Sequence, residues 1–170
     1  MRSTPSKRAA NPPALCALAV LIAGSASCNS GEPQGHQHGS HAHGMDAGSI
    51  CEVPGDTYVV GLEKQGNQLT VALVDALPAP PARWKNAWTI EVRDAAGMPV
   101  ERAAITSTPF MPFHGHGTNK EAVITEMGGG RYQLDPVWLF MPGVWEVTLQ
   151  ITPAGEPADS VKYAFCIGEV

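Results

Sequence analysis

The chain has 170 residues, room for one domain of ordinary size and too few for two comfortable ones. Apolar residues make up 44% of it, enough for a packed core, and 18 glycines with 15 prolines suit short strands and turns better than long helices. The formal charge is −5; taking away the three positive charges of the first 28 residues, which hold no acid, leaves −8 for the rest, an acidic body that argues against nucleic acid as a partner.

Residues 1–28 read as an export signal. Arg2, Lys7 and Arg8 form a positive start, Leu15 to Ala23 a short apolar stretch, and Gly24-Ser25-Ala26-Ser27 a run of small residues. The apolar stretch is too short for a good membrane-spanning helix, and charges or prolines interrupt every later apolar run. Ser25-Ala26-Ser27-Cys28 resembles a bacterial lipobox, in which the cysteine becomes the lipidated first residue, although Ser25 stands where leucine is usual. The alternative is ordinary cleavage near Ala26. That would leave Cys28, Cys51 and Cys166, an odd number for an oxidising compartment, whereas lipidation of Cys28 leaves two. The expected location is a lipid anchor in the cell envelope, and Asn29 after the cysteine resembles sorting to the outer membrane, facing the periplasm.

Residues 29–50 are rich in Gly, Ser, Gln and His and hold almost no large apolar side chain. They cannot bury enough surface to offset their ordering entropy and are expected to form a flexible tether.

From Cys51 to the end, residues 51–170, the period is 2. Strands are expected over 57–63, 68–75, 87–94, 100–108, 120–126, 131–137, 144–152 and 160–167. Inner faces are read at Leu69, Val71 and Leu73; at Trp88, Ile90 and Val92; at Trp145, Val147, Leu149 and Ile151; and at Val161, Tyr163, Phe165 and Ile167. The Pro-rich stretch 77–83 cannot be a central strand, 109–118 is read as a loop, and Gly128-Gly129-Gly130 as a turn. No segment keeps a 3.6-residue period. The expectation is an all-β, antiparallel, immunoglobulin-like sandwich of seven or eight strands without helices. Cys51 and Cys166 bracket it and are expected to form a disulfide that pins the entry segment across the last strand; the alternative is a two-thiol metal site.

All six histidines fall in two places. His36, His38, His41 and His43 lie in the tether, while His114 and His116 lie in Phe110-Met111-Pro112-Phe113-His114-Gly115-His116-Gly117. Neutral imidazole ligates transition metals, and a thioether adds softness that favours Cu(I). Met111, His114 and His116 are therefore a candidate copper site, with zinc as the alternative metal, and Met127 or Met141 are possible extra ligands. Equally, the loop can be structural, with Met111 and Phe113 plugging one end of the core. The tether histidines are either a solvated spacer or a weak, exchangeable metal trap. Met141-Pro142-Gly143 carries a turn signal, and Met141 packs more readily than it binds.

Taken together, Met111-Pro112-x-His114-Gly115-His116-Gly117, Gly130-x-Tyr132 and Phe140-Met141-Pro142-Gly143-x-Trp145-Glu146-Val147 resemble the YtkA-like/FixH-like domain. The resemblance covers 85–152 directly. It implies an immunoglobulin-like extracytoplasmic module of a kind that accompanies copper handling, efflux or oxidase maturation. There is no nucleophile elbow, no phosphate-cradling glycine loop and no His-Glu-x-x-His, so the chain is not expected to be an enzyme. The expected function is an envelope-anchored, metal-binding lipoprotein module. The rival is a structural sandwich that docks on an envelope protein assembly with no metal role.

Overall fold

The structure, a computed structural model, describes Cys51, Val53 and residues 55–169. The expected leader, the lipidation site at Cys28, the tether and its four histidines lie outside the described residues. Nine strands, all antiparallel to their neighbours, run through the described part: β1 (Leu62–Gln65), β2 (Thr70–Leu77), β3 (Trp84–Arg93), β4 (Ala104–Met111), β5 (His116–Gly117), β6 (Val123–Gly128), β7 (Arg131–Leu139), β8 (Gly143–Thr152) and β9 (Asp159–Ile167). They form two sheets, ordered β1-β2-β3-β7-β6 and β5-β4-β8-β9. No helix occurs among the described residues, and the all-β sandwich expected from the alternation is what the chain forms.

The period-2 pattern places the core where it was read. Every inner-face residue named above is buried, and Cys166, on the opposite face of β9, is exposed. Trp88 of the first sheet meets Tyr163 and Phe165 of the second edge-to-face, with ring centroids 6.0 and 5.6 Å apart. The Tyr163 hydroxyl donates to the Val71 carbonyl at 2.8 Å, so its polar tip is satisfied within the core. Burial, aided by the acids Asp56 and Glu63, holds that hydroxyl far above the usual tyrosine range.

Strand boundaries differ from the expectation wherever the chain changes sheet. The first strand begins at Leu62 rather than Thr57, because the preceding segment lies along β9 instead. The Asp56 N–H donates to the Ala164 carbonyl, and the Ala164 N–H donates back to the Asp56 carboxylate. The chain then turns through Gly61, at φ 80°, into β1. Residues 100–103 make the crossing from β3 to β4, with Arg102 at φ 56°, so β4 starts at Ala104 instead of Val100.

The stretch expected as a loop at 109–118 is a hairpin, which raises the strand count from eight to nine. Pro109 is tolerated inside β4 because its carbonyl, and with it the side of the residue that lacks an N–H, faces β5 rather than β8. Cys51 and Cys166 are joined by a disulfide, with Cα atoms 5.8 Å apart. This replaces the two-thiol alternative and ties the entry segment across the β9 edge.

Candidate metal centre

The hairpin builds the site. The His114 and Gly115 N–H groups both donate to the Met111 carbonyl, at 3.2 and 2.9 Å, and Gly115 takes φ 67°, so the chain reverses within four residues. His116 then pairs with Met111, and Gly117 with Phe110. Gly117 is required by close approach, since a Cβ there would lie 2.6 Å from the Pro109 carbonyl oxygen.

Residues opposed across an antiparallel ladder project to the same face. Met111 is fully buried and belongs to the core, so His116 is carried onto the inner side of the sandwich, where it is half-buried. Its ring stacks on Phe140 with centroids 5.7 Å apart and planes 23° apart, and it meets Trp145 edge-on at 6.5 Å. The His116 Nδ1 lies 3.3 Å from the Gly117 carbonyl. With the proton on Nδ1 this contact would be a hydrogen bond to the carbonyl and would leave the Nε2 lone pair free, the arrangement a ligand needs. His114 sits at the rim, exposed, with its ring centroid 5.7 Å from that of His116.

The spacing of the rings passes a simple test. A metal about 2.0 Å from an imidazole nitrogen lies about 3.2 Å from the ring centroid, so two rings sharing one ion have centroids at most about 6.4 Å apart. The observed 5.7 Å falls inside that limit. Among the described residues, no three His, Cys, Asp or Glu side chains form a group able to hold a metal ion. Met111, the thioether opposite His116 in the ladder, lies buried on the same inner face.

Of the other sequence candidates, Met141 follows the Phe140 that stacks on His116, and Met127 lies far from the corner. Met141 is half-buried against the core, and its carbonyl accepts from Trp145 Nε1 at 2.9 Å. Met127 stands 59% exposed next to the β6–β7 turn, whereas the histidine corner lies beyond the other end of β7, about 26 Å away along the strand, so Met127 does not join the site. Phe113 is exposed, so of these two hairpin residues only Met111 is in the core. Sequence reasoning missed Arg83, whose Nε donates to the Phe140 carbonyl at 2.9 Å. With the Trp145 bond to Met141, it pins two successive carbonyls and so fixes the Phe140 ring under His116. Nothing in the Pro-rich segment around Arg83 signals this, because the contact spans 57 residues.

The sequence matches the YtkA-like family over residues 63–150. No curated protein matches it significantly. Similar solved structures include a DUF4426 family protein from Pseudomonas aeruginosa PAO1, at 18% identity and a TM-score of 0.47, covering 62% of this chain and 96% of that one. FetP of uropathogenic E. coli strain F11 is 15% identical with a TM-score of 0.46, covering 66% of this chain and 97% of that one. The copper-reconstituted P19 protein from Campylobacter jejuni is 14% identical with a TM-score of 0.45, covering 65% and 96%. At these identities and scores the likenesses say nothing about what this chain binds.

Proposed function

The chain belongs to the YtkA-like family, and from that premise we propose that it is a non-catalytic metal-binding module of the cell envelope, held to the membrane through lipid on Cys28, with copper as its metal. The observation that carries the reading is the corner where His114 and His116 lie 5.7 Å apart above the buried Met111. Two imidazoles and a thioether form a borderline-to-soft donor set, suited to copper and unsuited to calcium or magnesium, which take oxygen. His116 is oriented by Phe140 and Gly117, while His114 stands in solvent where an ion enters or leaves. A copper ion bound there would be sequestered for storage or passed to another envelope protein. The disulfide between Cys51 and Cys166 is at home in an oxidising compartment and supports export.

One observation favours the structural rival: the fully buried Met111 and the stacking of His116 on Phe140 also make a well-packed sandwich end. Titration with Cu(II), and with Cu(I) under reduction, decides between them. The protein for this test carries alanine at His36, His38, His41 and His43, because four clustered histidines bind copper whatever the hairpin does. Binding of one copper ion that disappears when His114→Ala and His116→Ala are added is the expected result. A folded protein that takes up no metal in either state makes the hairpin structural and leaves docking on an envelope assembly as the function.

A further inference from the structure

Among the described residues, β4 is the least guarded edge of the two sheets. β1 is four residues long and carries Glu63 and Lys64, both ion-paired. β9 is covered by the entry segment, through the bonds between Asp56 and Ala164 and through the disulfide. β6 carries Glu126 and a bulge before Gly128. Shortness, charge, cover and bulges are the devices by which a sheet avoids pairing with another chain. β4 has none of them over Ala104 to Thr108, which is uncharged and runs in unbroken register with β8.

The open length is well defined. β5 pairs only with Phe110 and Met111, and at the other end the Ala103 N–H is taken by the Tyr132 hydroxyl. The chain leaves β5 at Gly117 and passes through Lys120 and Glu121 to β6, which leaves a groove of about 340 Å³ beside Ile105, Ser107 and Pro109. The Pro109 carbonyl points to this side. Main-chain groups of alternate residues in a strand face the same way, so the N–H and C=O of Ile105 and Ser107 face the groove as well. Neither residue has a ladder partner there.

We propose that β4 of a second copy of this chain fills the groove, paired antiparallel about a two-fold axis at Thr106. Around that axis Ile105 of one copy stands opposite Ser107 of the other. Both have their N–H and C=O turned to the groove, so each pair exchanges both main-chain bonds. The stretch is its own complement in side chains too. On the outer face Thr106 meets Thr106 and Ala104 meets Thr108, all of them outside the core, and paired threonines are favourable across strands. On the inner face the large Ile105 meets the small Ser107. No like charges oppose each other in the ladder. The groove wall adds Lys120 and Glu121, both exposed, whose charges cancel, so the acidity of the body is not concentrated at this edge.

The test uses the chain with Cys28→Ser, which removes a competing thiol, and is made without metal so that it stands apart from the copper reading. Sedimentation velocity over a range of concentrations should show a monomer–dimer equilibrium. Thr106→Lys sets two cations against each other at the axis and should weaken the dimer about fivefold or more, with the unfolding curve unchanged. Thr106→Cys should form a disulfide-linked dimer under mild oxidation, because Cα atoms of an opposed non-hydrogen-bonded pair lie about 4.5 Å apart. Thr108→Cys should not, because the two copies of residue 108 lie about 14 Å apart along the ladder. A monomer at every concentration overturns the proposal and leaves the groove to a different polypeptide. A dimer that Thr106→Lys leaves intact, or cross-linking as efficient at 108 as at 106, overturns it by placing the interface elsewhere.

Discussion

Met111 and His116 face each other across the β4–β5 ladder, the first fully buried in the core and the second half-exposed above it against Phe140. Packing and ligation therefore meet in one cross-strand pair, and a substitution can separate them. His116→Phe keeps a flat ring on Phe140 but removes the nitrogen. It is expected to stay within about 1 kcal/mol of the parent in denaturant unfolding and to lose stoichiometric copper in isothermal titration. Copper retained at one equivalent in the tether-silenced protein would move the site away from His116.

Gly117 permits the hairpin to close, since any Cβ there would press on the Pro109 carbonyl oxygen from 2.6 Å. Gly117→Ala should cost about 1–3 kcal/mol of stability and weaken copper binding together, because the shift that relieves the clash displaces His116. Unfolding curves and copper titration on the same sample check this. A variant as stable as the parent with unchanged affinity contradicts the close approach.

Asp159 is a buried carboxylate that ties β9 to the β1–β2 turn. One oxygen accepts from the N–H groups of Asn67 and Ser160, and the other from those of Gln68 and Leu69. Burial by itself would raise its pKa, but the backbone donors outweigh burial and pull it down to about 2. A folded-state pKa below the unfolded value means stability that is present in full above about pH 4 and is lost as pH falls through about 2. Asp159→Asn should therefore lower stability at pH 7 by about 2–3 kcal/mol and flatten the decline between pH 4 and 2. Unfolding free energies measured across that range give the slope, and an unchanged decline in the variant assigns the acid sensitivity to other groups.

The disulfide closes a loop of 115 residues. Cys166→Ser, made with Cys51→Ser to avoid a stray thiol, should cost on the order of 4 kcal/mol if loop entropy governs its contribution. Thiol labelling of the denatured, non-reduced parent should find neither cysteine reactive. Two free thiols from Cys51 and Cys166 would end the assignment.

Lipid on Cys28 predicts a mature chain that partitions with membranes and whose N-terminal mass exceeds that of the unmodified residue by a diacylglyceryl group and its acyl chain. Mass spectrometry of the mature N-terminus measures this directly. A free, unmodified terminus near Ser27 would instead indicate ordinary cleavage.

The chain's own pattern of residues determined the class of fold and which side of nearly every strand is buried. Trp88, Ile90 and Val92, or Val161, Tyr163, Phe165 and Ile167, alternate with polar neighbours, and a strand's two faces are a property of local sequence. The same alternation showed Cys166 outward and available to Cys51. Clustering of the histidines marked the hairpin as the place to look for chemistry.

Only the tertiary structure decided what stands around those histidines. A His-Gly-His-Gly stretch with two helix- and strand-breaking glycines carries no local signal for pairing; it became β5 because Phe110 and Met111 offered it an open strand edge. Phe140 reached His116 from the connection between β7 and β8, held by Arg83 from 57 residues upstream, while Met127, close to the histidines in sequence, was carried to the far end of β7. Periodicity is set by neighbours along the chain, but ligand geometry is set by register and sheet order, which arise from contacts between distant segments once both faces of the sandwich are buried.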